Sequence, residues 1–244
     1  MMNLKKYFLF ICFGLCCLCS EAQNHPKQKQ ITIQFIHEAN GKSISRGDSL
    51  YYNAFNEPYR IQKLKYYISN ISFDQQADST VFLIDAFATD QLQFNLSEGS
   101  YHAVEFLLGV DSALQTSGAQ SGALDPLQGM YWTWNSGYVN FKLEGSSDSS
   151  GADLQRIEHH IGGYRSPFIS MRKIKIEFPE PMQIFEQDEV VLQIVCDLDS
   201  YWNSVYPIRI QDHPLIMSSG ELPAKIADNF TKLFRFRAIE YKKG

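Results

Sequence analysis

The chain has 244 residues, 44% hydrophobic and 14% aromatic, too apolar for a disordered protein and enough for one large β-rich domain or two small ones. Its formal net charge is −5, and this acidic balance argues against general nucleic-acid binding, which needs a basic surface to displace counterions. Of the 5 cysteines only Cys196 lies beyond the first 22 residues, which excludes a disulfide framework, a Cys-rich zinc module and a cysteine-ligated iron–sulfur cluster.

Asn3-Leu4-Lys5-Lys6 gives a short positive start, and 7–18 is an apolar core of about a dozen residues, too short for a membrane span, which needs ~20. Ser20-Glu21-Ala22 places small residues where a signal peptidase cuts, so 1–22 reads as a secretory signal peptide cleaved near Ala22, and the mature chain as periplasmic or secreted, with no membrane span. Its removal lowers Lys+Arg from 22 to 20 and Asp+Glu from 27 to 26, a net charge of about −6. A polar leader, 23–30, follows, and then a single domain over 31–244.

Within the domain, Ile31, Ile33, Phe35 and His37 alternate onto one strand face. Segments 64–73 and 80–87 are β-branched and aromatic enough for two more strands. Val104, Phe106, Leu108 and Val110 alternate next, and the same phase puts His102 inward. Val139, Phe141 and Leu143 oppose Asn140, Lys142 and Glu144, and Ile174, Ile176 and Phe178 oppose Lys173, Lys175 and Glu177. Val190, Leu192, Ile194, Cys196 and Leu198 form a further apolar face, which predicts a buried, inert thiol at Cys196. Segments 112–129 and 145–153, rich in Ser and Gly, read as exposed loops. Leu222, Ile226, Phe230, Leu233 and Phe234 share a helical face, with Pro223 in the first turn. The fold predicted is all-β, an antiparallel β-sandwich, immunoglobulin-like or related, with one short C-terminal helix.

The chain has no phosphate-cradling glycine loop, no Gly-x-Ser-x-Gly elbow and no His-Glu-x-x-His helix. The most aromatic stretch, Met130-Tyr131-Trp132-Thr133-Trp134-Asn135-Ser136-Gly137-Tyr138, puts Trp132 and Trp134 on one strand face, as a core cluster, a stacking platform or a redox-active pair. In His159-His160-Ile161-Gly162-Gly163 the adjacent imidazoles point to opposite faces, and the glycines permit close approach. A lone His37 on an apolar face is a hydrogen-bonded core residue or a metal ligand. Asp111, after Leu108-Gly109-Val110, orients a neighbouring group or caps its loop.

Taken with 31–41, Leu64-Lys65-Tyr66-Tyr67-Ile68-Ser69-Asn70-Ile71 and Lys142-Leu143-Glu144-Gly145, these motifs occur in an order that resembles the MbnP-like family, exported proteins associated with methanobactin and copper handling. The resemblance covers most of the mature chain. It implies a non-enzymatic copper-binding or copper-shuttling β-sandwich in which a tryptophan is oxidised to kynurenine by a partner dihaem enzyme of the MauG type, and copper is held by two histidines and the kynurenine nitrogen. Carried onto this chain, Trp132 and Trp134 become candidates for oxidation, and His37 and His160 for copper ligands, with His159 and then His102 behind them. Asp111 or Glu144 would accept from the far nitrogen of a ligand imidazole and so fix its tautomer. This reading expects His37 and His160 to converge near a tryptophan of 130–138. Two alternatives stand beside it: a glycan- or peptide-binding module with exposed tryptophan rings, and a purely structural surface protein.

Overall fold

The computed structural model describes residues 28–133, 136–185 and 188–243. The predicted signal peptide, most of the leader and Trp134 lie outside the described residues. The strands are β1 (Gln28–Ala39), β2 (Lys42–Ser43), β3 (Tyr51–Tyr52), β4 (Pro58–Phe73), β5 (Gln76–Asp78), β6 (Phe82–Asp85), β7 (Gln91–Ser97), β8 (Gly99–Leu108), β9 (Tyr131–Thr133), β10 (Gly137–Ser146), β11 (Arg156–Gly162), β12 (Arg172–Ile184), β13 (Asp188–Asp197), β14 (Leu215–Ile216) and β15 (Phe234–Lys243). Short helices interrupt them: α1 (Ser112–Gln115), α2 (Leu198–Trp202), α3 (Glu221–Ile226) and α4 (Phe230–Leu233).

Two sheets form. The smaller runs β15-β13-β1-β2, with β7 also on β1, and the larger runs β12-β8-β4-β10-β11-β14, with β3, β5, β6 and β9 attached. They meet face to face through aromatic side chains. Phe35 of β1 stands edge-on to Tyr66 of β4 and Phe106 of β8, with ring centroids 6.0 and 6.2 Å apart, and Phe234 of β15 reaches the same two rings at 5.5 and 5.3 Å. This is the sandwich the alternating apolar residues demand: each strand buries one face against the other sheet. Ile31, Ile33, Phe35 and His37 are all buried. Asn40 and Gly41, at φ 52° and 68°, close the β1–β2 hairpin as a two-residue turn that needs two left-handed residues, which Asn-Gly supplies.

The sheets depart from the sequence reading in three places. They are not wholly antiparallel, since β1 pairs β13 in parallel, His37 opposite Cys196, and β11 pairs β14 in parallel. Strands far apart in sequence have connections long enough for either direction. His102 is exposed, against the expectation of an inward face: β8 buries Tyr101 and Ala103 as well as Val104 and Phe106, where the β8–β12 register slips between Glu177 and Met182. The C-terminal helix is split into α3 and α4 by a tight turn over Ala227–Asn229, and Phe234 starts β15. Its face was read correctly: Ile226, Phe230 and Leu233 are fully buried.

Candidate functional site

Adjacent residues of a strand face opposite sides, and the β10–β11 hairpin sorts the histidines by this rule. Leu143 pairs with His159, and Lys142 with His160. Leu143 belongs to the core between the sheets, so His159 points inward and His160 outward.

His159 is fully buried. Its Nε2 lies 2.7 Å from the His213 carbonyl, which can only accept, so Nε2 carries the proton. Burial pushes its pKa down to about 4, and the neutral ring therefore accepts from the Tyr201 hydroxyl, 2.7 Å from Nδ1. Both nitrogens are committed, and His159 offers no lone pair to a metal. His37 is also interior, with Nε2 2.9 Å from the Tyr66 hydroxyl and its pKa lowered to about 4 by burial. Tyr66 pairs with Phe141 and faces the core, whereas Lys65 and Lys142 face out with His160. His37 and His160 thus stand on opposite sides of the larger sheet and do not converge. Cys196 is buried and free, its thiol pKa raised by burial.

The outer face around His160 is charged and ordered. His160 Nε2 lies 2.9 Å from Glu144 Oε1, while Lys63 donates to Glu144 Oε2 at 2.6 Å and Lys142 lies 3.6 Å from Oε1. The His160 hydrogen bond first, then Lys63 and Lys142, outweigh burial and hold the Glu144 carboxyl down near 2. An ionised carboxylate only accepts, so His160 donates from Nε2. Glu144 therefore orients this imidazole. Asp111, the other residue expected to do so, caps α1 instead, accepting from Ala113 N at 2.9 Å, and reaches no imidazole. His102 stands apart on β8 with Asp74, 3.3 Å away.

Trp132 shares the outer face with His160. An alanine Cβ at Gly162 would lie 2.7 Å from Trp132 Cζ3 and 2.9 Å from Cη2, so the indole is seated on that glycine. The ring is partly buried against Tyr67, Val110, Leu124, Met130, Tyr138 and Val139. Segment 112–129 was expected as an exposed loop; it folds over this face, burying Gln115 and Leu124.

Residues that the sequence reading passed over hold this corner together. Gln115 Oε1 accepts from Tyr138 N at 2.6 Å, and its Nε2 donates to Asn140 Oδ1 at 3.1 Å. Asn140 Oδ1 also accepts from Val110 N at 3.1 Å, and its Nδ2 donates to Ser170 Oγ at 2.9 Å. Ser170 Oγ then donates to the Gly163 carbonyl at 3.2 Å. Gln115, Asn140 and Ser170 are all fully buried, and each polar atom named is satisfied. Lys142 Nζ donates to the Gly129 carbonyl, tying the tryptophan segment to β10. The one available signal was polar residues amid apolar ones, as Asn140 is between Val139 and Phe141.

The described side chains do not assemble a copper centre on two imidazoles. Among the described residues, no three His, Cys, Asp or Glu side chains gather as metal ligands. Of the two tryptophans read as a stacking platform, Trp134 lies outside the described residues and Trp132 is seated edgewise on the hairpin glycine.

The MbnP family model matches residues 28–218. Among solved structures the chain is similar to "MbnP from Methylosinus trichosporium", at 13% identity and a TM-score of 0.52, over 74% of this chain and 80% of that one, a likeness that shows the fold. Comparison with curated proteins gives no match.

Proposed function

The chain belongs to the MbnP family, and on that footing we propose that it is an exported copper-handling protein, not itself an enzyme, whose working residue is Trp132. Trp132 is acted on by a dihaem oxidising partner: dioxygen is reduced as it cleaves the indole C2–C3 bond, one oxygen atom going to each carbon to give N-formylkynurenine, and water then hydrolyses the formyl amide to formate, leaving kynurenine. The observation that carries this reading is the seat itself. Trp132 rests on Gly162 on the outer face of the larger sheet, the face that His160 shares, while His37 and His159 are in the interior. Copper is cargo on this reading, and its uptake follows oxidation of Trp132, because among the described residues of the unmodified chain no three His, Cys, Asp or Glu side chains gather as metal ligands.

The test is intact mass and metal analysis of the exported protein, made with and without a dihaem partner. Expected are a net exchange of one carbon for one oxygen, mapped to the Trp132 peptide, and copper retained by the modified form alone. Unmodified protein that takes up stoichiometric copper, or modification mapped elsewhere, overturns the reading. Among the described residues no helix is long and apolar enough to cross a membrane.

A further inference from the structure

The core between the sheets contains a second aromatic assembly, separate from Trp132. Tyr51, Tyr59, Trp202 and Tyr201 are in serial contact, with ring centroids 5.7, 5.1 and 5.1 Å apart. All four are buried, and Tyr59, Trp202 and Tyr201 almost completely. Each ring is a side chain that a strong one-electron oxidant can oxidise. Beyond Tyr201 the next ring is Phe141, stacked at 5.0 Å, which is not oxidisable.

The polar ends of these rings are treated unequally. Tyr59 Oη and Trp202 Nε1 are buried and reach no polar group beyond each other. Such groups are rare and call for an explanation. Tyr51 Oη accepts from Ser45 N at 2.8 Å. Of these four rings only Tyr201 has a buried base facing its hydroxyl: His159 Nδ1 at 2.7 Å, the lone-pair nitrogen of a ring whose other nitrogen is already donating to the His213 carbonyl; the comparable pair, Tyr66 with His37, lies beyond Phe141 and outside the series. That separation is within the range at which a positioned base takes a proton.

We propose that Tyr201 is a redox-active tyrosine, oxidised by one electron through Trp202 with its proton passing to His159. The step balances. The oxidant gains one electron, the Tyr201 O–H bond breaks to leave a neutral phenoxyl radical, and the proton forms a new N–H bond at His159 Nδ1, giving an imidazolium that still donates Nε2–H to His213. An oxidised phenol is a strong acid, so the radical comes to rest where a proton acceptor exists. Tyr59 and Trp202 have none and pass the vacancy on. The core thereby stores one oxidising equivalent away from solvent, with a strong one-electron oxidant, such as a ruthenium(III) polypyridyl complex or a high-valent haem, as the source. The proposal does not depend on the Trp132 reading, since it invokes neither copper nor kynurenine.

The test uses the mature protein and photogenerated tris(bipyridine)ruthenium(III), followed by freeze-quenched electron paramagnetic resonance. Of the 13 tyrosines only Tyr7 lies in the predicted signal peptide, so short-lived surface radicals from the other tyrosines are expected in every sample. Wild type should add a long-lived neutral tyrosyl signal, lost in Tyr201→Phe and in His159→Phe. A long-lived signal that persists in folded Tyr201→Phe overturns the proposal. Should either variant fail to fold, wild-type high-field spectra in deuterated solvent decide: a strongly coupled deuteron on a short hydrogen bond is expected, and its absence refutes the assignment.

Discussion

Gly162→Ala tests the seat of Trp132 directly. The new methyl would lie 2.7 and 2.9 Å from two carbons of the indole and 3.0 Å from the Tyr138 carbonyl oxygen. Carbon atoms at rest sit about 3.5–4.0 Å apart, so something must yield by about 1 Å. The carbonyl is held in the hairpin and cannot, but the indole, only partly buried, can swing outward. Overpacking costs ~1–3 kcal/mol, and replacing a strand glycine returns ~0.5–1 kcal/mol of backbone entropy. The net loss should therefore be about 1–2 kcal/mol, or roughly 2–8 °C in Tm for a domain of this size. Urea unfolding gives the stability, and a red shift of tryptophan emission gives the displaced ring. The cause is isolated by a double-mutant cycle: in a Trp132→Ala background the same Gly162→Ala change should cost clearly less, the remainder being the 3.0 Å approach to the Tyr138 carbonyl. On the proposed function, Gly162→Ala should also lower the yield of kynurenine at Trp132. If Gly162→Ala leaves stability and emission unchanged, or costs as much with the indole absent, the seat does not exist as described.

Three further outcomes follow from buried polar groups. Asn140→Ala strands the Val110 N–H and one of the two N–H bonds of the Gln115 amide, whose other N–H keeps the Val110 carbonyl at 3.3 Å; with an unpaired group costing ~1–3 kcal/mol, a loss of about 2–4 kcal/mol is expected by chemical denaturation, and a loss below 1 would show that water replaces the amide. His37 and His159 have native pKa values lowered from 6.5 to about 4, so the unfolded chain binds their protons first. Their stabilisation is complete above pH 6.5 and drains as pH falls toward 4, by an order of ~3 kcal/mol each. Denaturation midpoints across that window should fall steeply in wild type and less in His37→Phe; an equal fall would exclude His37 as a source. Cys196, buried and with its thiol pKa raised, should resist a disulfide reagent in the native state and react at the rate of global unfolding; fast reaction would show local opening of β13.

The elements legible in the sequence are those with one wet and one dry face. β1 and the first half of β12 alternate cleanly because a single face packs on the opposite sheet. β10 hides its nature, since Gly137 through Leu143 are buried on both sides, Asn140 and Lys142 included. Segment 112–129 failed for the opposite reason. Its polar composition is that of a loop, but Gln115 is polar because it must satisfy a hairpin from within. Period-two parity correctly set His159 and His160 on opposite faces. It could not say which sheet His37 would look across to, because that depends on how the two sheets are stacked and not on any strand alone.

The same distinction explains why the family was legible while the ligand set was not. Three motif glycines, Gly109, Gly137 and Gly162, are each a space taken by a side chain from elsewhere in the chain. A Cβ at Gly109, held at φ 123°, would lie 2.9 Å from Asn140, one at Gly137 would strike the Gln115 amide, and one at Gly162 would strike Trp132. Motifs dispersed over more than fifty residues of sequence therefore meet in one corner on the outer face of the larger sheet, and their joint presence is a geometric requirement. The histidines are under no such mutual constraint: His37 and His159 satisfy core phenols, and His160 answers to Glu144. What the motifs encode together is the setting of Trp132, and that residue is where a chemical role for this chain is best sought first.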